Sequence, residues 1–428
     1  MNFKLLLLYI IGFLVYTQGY WERFTLINIQ GILEVCIWLL TLIYFRPKNI
    51  KSVVLFFVLL IWGWATSLYT NTTIDYFKYI RYLIYTFIVI DIFQQTRITV
   101  FQGKRLIGFV VLLLILQGVA AYIQLNFLGG QVEGYVGMMS SLGGTTATAF
   151  PVFVTALVVV VFCYSNSFPS YWYILLSVLL LASFLVGYSS GKRAIYFYIP
   201  SIIVLSIIVS YYIAYKHKVR LGVNKLLWVA GASILLTPLY FYGVSHSAGY
   251  SQALKGGESN SQVLEVMFDY AEDYENAESG KATIGRSNSS QVLLTHAMNN
   301  ARFFWAGSGY LTSKNEDTTY NYGVSYGFVG FSRDLFAGGA IYCLLTMIFI
   351  IHLIFRHDDA NNDAFSIAMR ISICVVFLLI HLFYSSDFTT SLKLNFILAI
   401  VLSIINSNNY YSLKQYYNKY LKNDEPTE

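Results

Sequence analysis

Apolar and polar residues follow one another along this chain in long blocks, not in the short periods of a soluble protein. Many of the apolar runs have the length of about 20 residues that crosses a bilayer as a helix. They predict twelve transmembrane helices, near residues 3–19, 25–45, 52–70, 76–93, 106–128, 143–163, 171–188, 194–215, 226–244, 335–355, 366–384 and 390–406. The first run resembles a signal peptide, but no small-residue cleavage site follows it, so it is interpreted as a retained helix.

The pattern predicts an all-α polytopic membrane protein with one large helical loop. Nine helices are expected in 1–244, the loop in 245–334, three helices in 335–406 and a polar tail in 407–428. Composition agrees: 57% of residues are apolar and 12% are charged, against about 25% charged in soluble domains.

Positive charge predicts the orientation of the helices. Sixteen of the 28 Lys and Arg residues lie in the two termini and in alternate connections between the predicted helices. Lys and Arg concentrate in cytoplasmic loops, so both termini are predicted to be cytoplasmic and the 245–334 loop to be external. The net charge of +6 follows this topology and does not indicate a nucleic-acid partner.

The large loop carries six Lys and Arg against ten Asp and Glu. An amphipathic acidic helix is predicted around 260–279, and a second helix from Ser287 to about Ala301, with Ser287 or Asn288 as its N-cap. Loops longer than about 15 residues usually carry function or lack structure. This one contains apolar helix faces, so it is expected to pack over the membrane domain as a lid.

Basic residues at the external ends of helices are informative, because orientation does not account for them. In the break Gly187–Ala194, Ser and Gly residues allow close approach of a ligand, and Lys192 and Arg193 supply charge. Arginine pairs bidentately with phosphate, so this break is a candidate pyrophosphate site. The alternative is a helix end anchored to lipid phosphates.

Three charged residues share one face of the fourth predicted helix: Asp75, Lys78 and Arg81, at spacing i, i+3, i+6. The pattern favours an ion-paired helix end, and two cations there would also suit an anionic lipid head group. Glu34 lies midway along the second predicted helix, where a carboxylate is costly. It is expected to pair with Arg81 or a Tyr hydroxyl, although a proton-carrying role stays open.

The strongest local signal is the segment Ile284–Tyr310, in which Gly-Arg286 precedes a helix and is followed by the turn Gly307-Ser-Gly309. The segment Ser332–Gly339 then re-enters the membrane. In this order the motifs resemble the O-antigen polymerase and ligase superfamily of bacterial membrane glycosyltransferases. The resemblance covers residues 180–350 in detail and the remainder only by topology.

The resemblance implies a GT-C-like architecture in the bacterial inner membrane, acting on a polyprenyl-pyrophosphate-linked oligosaccharide at the outer face. A polymerase of this kind transfers the growing O-antigen or capsule glycan onto a new lipid-linked repeat, without metal or nucleotide sugar. A chain-length regulator is the partner expected by analogy. Ligases usually carry a His-Asn pair shortly before the re-entry helix; residues 320–331 contain no His, which favours a polymerase.

The chemistry predicts a set of site residues. Preorganised cations stabilise the departing pyrophosphate, and Arg193, Arg286 and Arg333 are the predicted clamp. A second group is expected to assist in substrate binding: Lys192, Arg81, Lys78, Gly307 and Gly309. The acceptor hydroxyl needs a base, for which Asp334, His296 or an acidic loop residue are candidates; an Arg333–Asp334 ion pair capping the helix is the alternative.

No cofactor is expected, because the histidines have no metal-ligand spacing and no nucleotide-binding fingerprint appears. A ligase and a lipid-linked oligosaccharide flippase or transporter stay open as alternatives. Transporters of this size usually show two related halves, and no internal similarity is visible here.

Overall fold

The fold is helical throughout the part of the chain that the computed structural model describes. That part comprises residues 3–25, 29–47, 49–94, 99–127, 137–138, 145–165, 169–190, 194–222, 224–229, 231, 238, 242, 286–310, 329–356, 363–384 and 392–405. Helices make up 90% of it, with no strand. The predicted all-α class is confirmed.

Fourteen helices are numbered here in chain order. They are α1 (Phe3–Tyr16), α2 (Gln18–Thr25), α3 (Ile29–Tyr44), α4 (Ile50–Tyr69), α5 (Thr73–Gln94), α6 (Val100–Phe127), α7 (Thr145–Tyr164), α8 (Pro169–Ser190), α9 (Ala194–Lys216), α10 (Arg286–Asn299), α11 (Ala301–Ala306), α12 (Gly330–Phe355), α13 (Ala364–Phe383) and α14 (Leu392–Ile405). Eleven of the twelve predicted apolar stretches coincide with one of these helices; in the ninth, the described residues are helical.

Six helices of the described chain are long and apolar enough to cross a membrane: α4, α6, α8, α9, α12 and α13. Shorter apolar helices lie in α1, α3, α7 and α14. Helix α5 has 22 residues but carries four charged side chains. The protein is therefore a multi-pass helical membrane protein. Its total of twelve spans stays a prediction.

Helices α7 and α14 form the centre of the bundle. Every α14 residue from Leu394 to Ile405 is buried, and so is every α7 residue from Thr148 to Tyr164. A helix that is apolar on all sides requires neighbours on all sides, and α5, α9 and α13 are among those that pack here. Helices α4 and α9 instead present large apolar side chains outward, such as Ile61 and Ile208, as expected for lipid contact.

Two predicted boundaries are corrected. Helix α10 begins at Arg286, so Ser287 and Asn288 lie inside it and neither is its N-cap. Helix α8 continues through Ser190, so most of the predicted break at 187–194 is helical. At Gly187 the helix lies close to α9, where an added Cβ would be 3.0 Å from the Tyr196 ring. The predicted helix at 260–279 lies outside the described residues.

Candidate functional site

The segment Gly307–Gly309, which follows α11, packs against Gly339 inside α12. Gly307 and Gly309 have φ of 66° and 107°, and Gly339 inside α12 has φ of 79°, values that L side chains rarely adopt. A Cβ on Gly307 would lie 2.5 Å from the Phe336 carbonyl oxygen, and one on Gly339 would lie 2.6 Å from the Phe304 carbonyl oxygen. Backbone touches backbone here, so only glycine fits. We call this contact the glycine interlock.

Hydrogen bonds hold the glycine interlock together. Gly339 is non-helical and interrupts α12, so carbonyl groups before the break can accept from outside the helix. The Ser308 N–H donates to the Phe336 carbonyl at 2.7 Å, and the Gly309 N–H donates to the Ala337 carbonyl at 3.2 Å. Gly307 donates to Phe303 at 2.9 Å. These amides are used within the protein, and both glycines pack closely against it. Their role in substrate binding stays a prediction.

Tyr310, directly after the interlock, fastens the segment to the corner between α4 and α5. Its N–H donates to the Thr72 hydroxyl at 3.1 Å, and its own hydroxyl lies 3.0 Å from that of Thr66. The ring is fully buried, and burial raises the pKa of the Tyr310 phenol well above its usual value. The end of the large loop is thereby attached to three membrane helices.

Beneath Tyr310 lies a fully buried polar group, the Asp334 cluster, formed by Asp334, Tyr79, His381 and Tyr342. The Tyr79 hydroxyl donates to Asp334 Oδ1 at 2.7 Å, and His381 Nε2 lies 3.7 Å from Asp334 Oδ2. Tyr342 packs edge-on against Tyr310, with ring centroids 5.3 Å apart. Helices α5, α12 and α13 therefore meet at one carboxylate.

Asp334, one of the predicted candidates for the base, is fully buried in this structure, and its role as a base stays a prediction. Neither Asp334 nor His381 exposes any side-chain surface, and Tyr79 already bonds one carboxylate oxygen. Apolar residues and aromatic rings close over the group because it sits inside the helix bundle, not at its rim. The contacts of Asp334 with Tyr79 and His381 join the start of α12 to α5 and α13.

The start of α10 lies beside the start of α12. The Ser290 and Ser332 hydroxyls are in hydrogen-bond contact. Arg286, the first residue of α10, precedes Ser290 by about one helical turn, and Arg333 follows Ser332 directly. The structure thus brings the positions of two predicted clamp arginines to adjoining helix ends. Arg333 itself is half-buried.

His296 lies further along α10, on the side that packs against α11. Its ring meets that of Phe303 edge-on, with centroids 4.8 Å apart, and it is half-buried. Of the two named candidates for the base, His296 is the one with accessible surface.

The remaining predicted cations that the structure describes, Lys78 and Arg81, do not join this group. Lys192 and Arg193 lie outside the described residues. Lys78 is exposed and pairs with Asp75 at 3.1 Å. Arg81 lies 3.6 Å from Glu34 on α3, about 200° around α5 from Tyr79. Both cations lie within reach of a carboxylate, and Arg81 faces away from the Asp334 cluster. Their role in substrate binding stays a prediction.

The expected pairing of Glu34 is confirmed. Besides Arg81, its carboxylate accepts a hydrogen bond from the Tyr85 hydroxyl at 3.1 Å. Both predicted partners are therefore present, and the carboxylate is bonded to neighbouring helices.

At the opposite end of α12 lies a second buried polar group, the Asp91 cluster, formed by Asp91, Arg356 and Arg370. Arg356 Nη2 lies 3.0 Å from Asp91 Oδ1, and both side chains are at most 5% exposed. Arg370 Nη1 donates to the carbonyl oxygens of Ile354 and, at 2.7 Å, of Arg356. A buried arginine thus satisfies carbonyls at the C-terminal end of α12.

Sequence analysis missed Asp91, Tyr79 and His381. Asp91 and His381 each stand alone in an apolar run, Ile88–Phe93 and Ile373–Phe383. A single ionisable residue inside a predicted helix is itself a signal of a buried partner. Arg356 and Arg370 lie in predicted cytoplasmic connections, and the sequence suggests no further role for them. The structure buries both side chains and gives each a partner.

Comparisons with known proteins leave the resemblance untested. No protein-family model matches the chain, and no match was found among curated proteins. Among the described residues, no group of three or more His, Cys, Asp or Glu side chains is arranged to hold a metal ion.

Proposed function

We propose that the protein is a polysaccharide polymerase of the bacterial inner membrane. In this proposal it transfers a growing O-antigen or capsule glycan from polyprenyl pyrophosphate to a new lipid-linked repeat unit at the outer face. The observation that carries the proposal is the contact between α10 and α12. Their Ser290–Ser332 contact brings Arg286 and Arg333 to adjoining helix ends, as a clamp for one pyrophosphate requires.

For this reaction the protein needs to supply positive charge for the leaving group and to position the two substrates. The bond between sugar C1 and the pyrophosphate oxygen breaks, and the pyrophosphate leaves with the electron pair. The acceptor hydroxyl bonds to C1 and gives its proton to a base, for which His296 is the candidate. Arginines that receive the negative charge in a water-poor site stabilise the transition state, by about 3–4 kcal/mol per donor in well-studied enzymes.

The glycine interlock supports this reading, because a clamp must be rigid. Backbone hydrogen bonds from Ser308 and Gly309 fix the loop segment to α12. Residues held by such contacts lose little freedom when substrate binds, so the interaction energy goes into orientation.

The test is a deletion of the gene in its native host, complemented with variants and read out as the ladder of surface glycan on a gel. Wild type is expected to restore a ladder that the deletion reduces to one repeat unit. Arg286→Ala, Arg333→Ala and Arg193→Ala are expected not to restore it. Arg302→Ala is the matched control: it removes the same charge from the same loop, where Arg302 is exposed and lies over the Tyr69 ring. An unchanged ladder in the deletion would overturn the proposal.

A flippase or transporter is the second candidate, favoured by one observation. Ionisable residues buried among membrane helices often mark transport paths, and the chain buries Asp91, Arg370 and His381. Loss of even the single repeat unit in the deletion strain would support this reading or that of a ligase. Retention of the single repeat would support the polymerase.

A further inference from the structure

A cavity of about 510 Å³ opens between the beginnings of α1 and α6, away from both polar clusters. Its size is within the range of ligand sites. Leu5 and Tyr9 of α1 form one wall; Phe101 and Arg105 of α6, with Thr99 and Gln102, form the other. The lining is apolar on one side, and on the other it carries a cation.

Arg105 is the charged residue among those that line the cavity. Thr99 and Gln102 bond each other: the Thr99 N–H donates to Gln102 Oε1 at 2.9 Å, and the Gln102 N–H donates to Thr99 Oγ1 at 3.2 Å. This capping box occupies both side chains. Arg105 is exposed, and its guanidinium lies over the Phe101 ring, 4.1 Å from the centroid. The stacking holds the guanidinium at the mouth of the cavity.

The floor of the cavity is formed by contacts between the two helices. The Tyr9 ring meets Phe109 edge-on, with centroids 4.9 Å apart. One turn further, a Cβ on Gly12 would lie 3.3 Å from Phe109. The two helices thus touch at Phe109, whereas beside Arg105 the cavity lies between them. This leaves an apolar recess next to the Arg105 guanidinium.

We propose that this recess binds an anionic phospholipid, with the phosphate at Arg105 and the upper acyl chain against Leu5 and Tyr9. Charge and shape both select this occupant. A guanidinium fits a phosphate bidentately, and an apolar recess below it fits an acyl chain, which free phosphate lacks. Lys104 and Lys4, adjacent in sequence to lining residues, add positive charge. By the distribution of Lys and Arg this end is cytoplasmic, and that leaflet is the anionic one.

The experiment measures lipid retained by the purified full-length protein by native mass spectrometry, after exchange into phosphatidylglycerol or phosphatidylcholine. Wild type is expected to retain one phosphatidylglycerol in preference to phosphatidylcholine. Arg105→Gln is expected to weaken phosphatidylglycerol binding at least about tenfold, the effect of losing a charge-assisted hydrogen bond, and Arg105→Lys is expected to restore part of it.

The matched control is Lys51→Gln, which removes one exposed cation at another predicted cytoplasmic position. It is expected to leave the retained lipid unchanged. An equal loss in Lys51→Gln, or equal retention of the two lipids, would overturn the proposal in favour of non-specific attraction. A further arm adds inorganic phosphate; displacement of the lipid at equimolar phosphate would assign the site to free phosphate and contradict the lipid. None of these readouts depends on polymerase activity.

Discussion

Asp334 and Asp91 are both fully buried carboxylates, and the same three helices, α5, α12 and α13, surround both. Their clusters lie toward opposite ends of α12; on α5, Tyr79 of one cluster and Asp91 of the other are about 18 Å apart along the helix. Their partners differ in kind. Asp91 faces the guanidinium of Arg356 at 3.0 Å. Asp334 faces a phenol and an imidazole, each of which can exist as a neutral group.

The difference separates a contact with a guanidinium from a contact with a phenol and an imidazole. The Asp91 cluster neutralises charge and also satisfies carbonyls at the end of α12 through Arg370. The Asp334 cluster lies under the glycine interlock, at the end where α10 and α11 pack. We therefore expect the two ends of α12 to respond differently when one partner is replaced.

The largest expected effect comes from Arg356→Met, which leaves Asp91 as an uncompensated buried charge. Breaking one half of a buried pair costs about 3–5 kcal/mol of unfolding free energy, so apparent melting of the detergent-solubilised protein should fall sharply. The control is Lys51→Met, an exposed cation. Replacing both partners, in Asp91→Leu with Arg356→Met, should recover much of the loss. Equal melting of Arg356→Met and the control would contradict the ionic contact.

The next effect concerns the interlock at the other end of α12. Gly339→Ala adds a Cβ that would lie 2.6 Å from a backbone oxygen, at a φ of 79°. We expect a loss of about 3 kcal/mol, from the unfavourable backbone region and from separation of α11. A lower melting temperature and faster protease cleavage after α10 would both report this loss. Gly222→Ala, where a Cβ meets nothing within 4 Å, is the control and should leave the melting temperature unchanged. An unchanged melting temperature in Gly339→Ala would contradict the glycine interlock.

The same isosteric change at both acids tests the comparison directly. Asp334→Asn keeps an acceptor for the Tyr79 hydroxyl, so it should cost about 1 kcal/mol, the scale of one neutral hydrogen bond. Asp91→Asn leaves the Arg356 cation buried without its counter-charge and should cost several times more. Parallel melting curves measure the difference. Equal costs would show that the two clusters are not distinct in kind.

The smallest effect on stability is expected from an exposed ion pair. Lys78→Ala breaks the Asp75 pair, whose side chains are 55% and 32% exposed, and should change stability by less than about 0.5 kcal/mol. If Lys78 contacts substrate as the sequence suggests, the glycan ladder should shorten while melting stays constant. A large drop in melting would instead assign Lys78 a structural role.

The helices could be predicted from the sequence because each depends on its own apolar run. The polar clusters could not, since their partners lie far apart in the chain: Asp91 pairs with Arg356, and Asp334 with Tyr79. The turn at Gly307 and Gly309 is visible as a motif in the sequence. Its packing role depends on its contact with Gly339, which the sequence alone does not show. Local pattern specifies elements, whereas these contacts exist only once the elements are assembled.

The glycine interlock also bears on how such a chain can diverge. Main-chain atoms make the Ser308–Phe336 and Gly309–Ala337 bonds, so substitutions at Ser308 or Phe336 leave the donors and acceptors in place. Selection to keep the segment docked then acts strongly on the glycines, whereas an apolar neighbour such as Phe336 needs only to fill the space it packs into. A chain built in this way can preserve its architecture across lineages while little of its sequence stays alike.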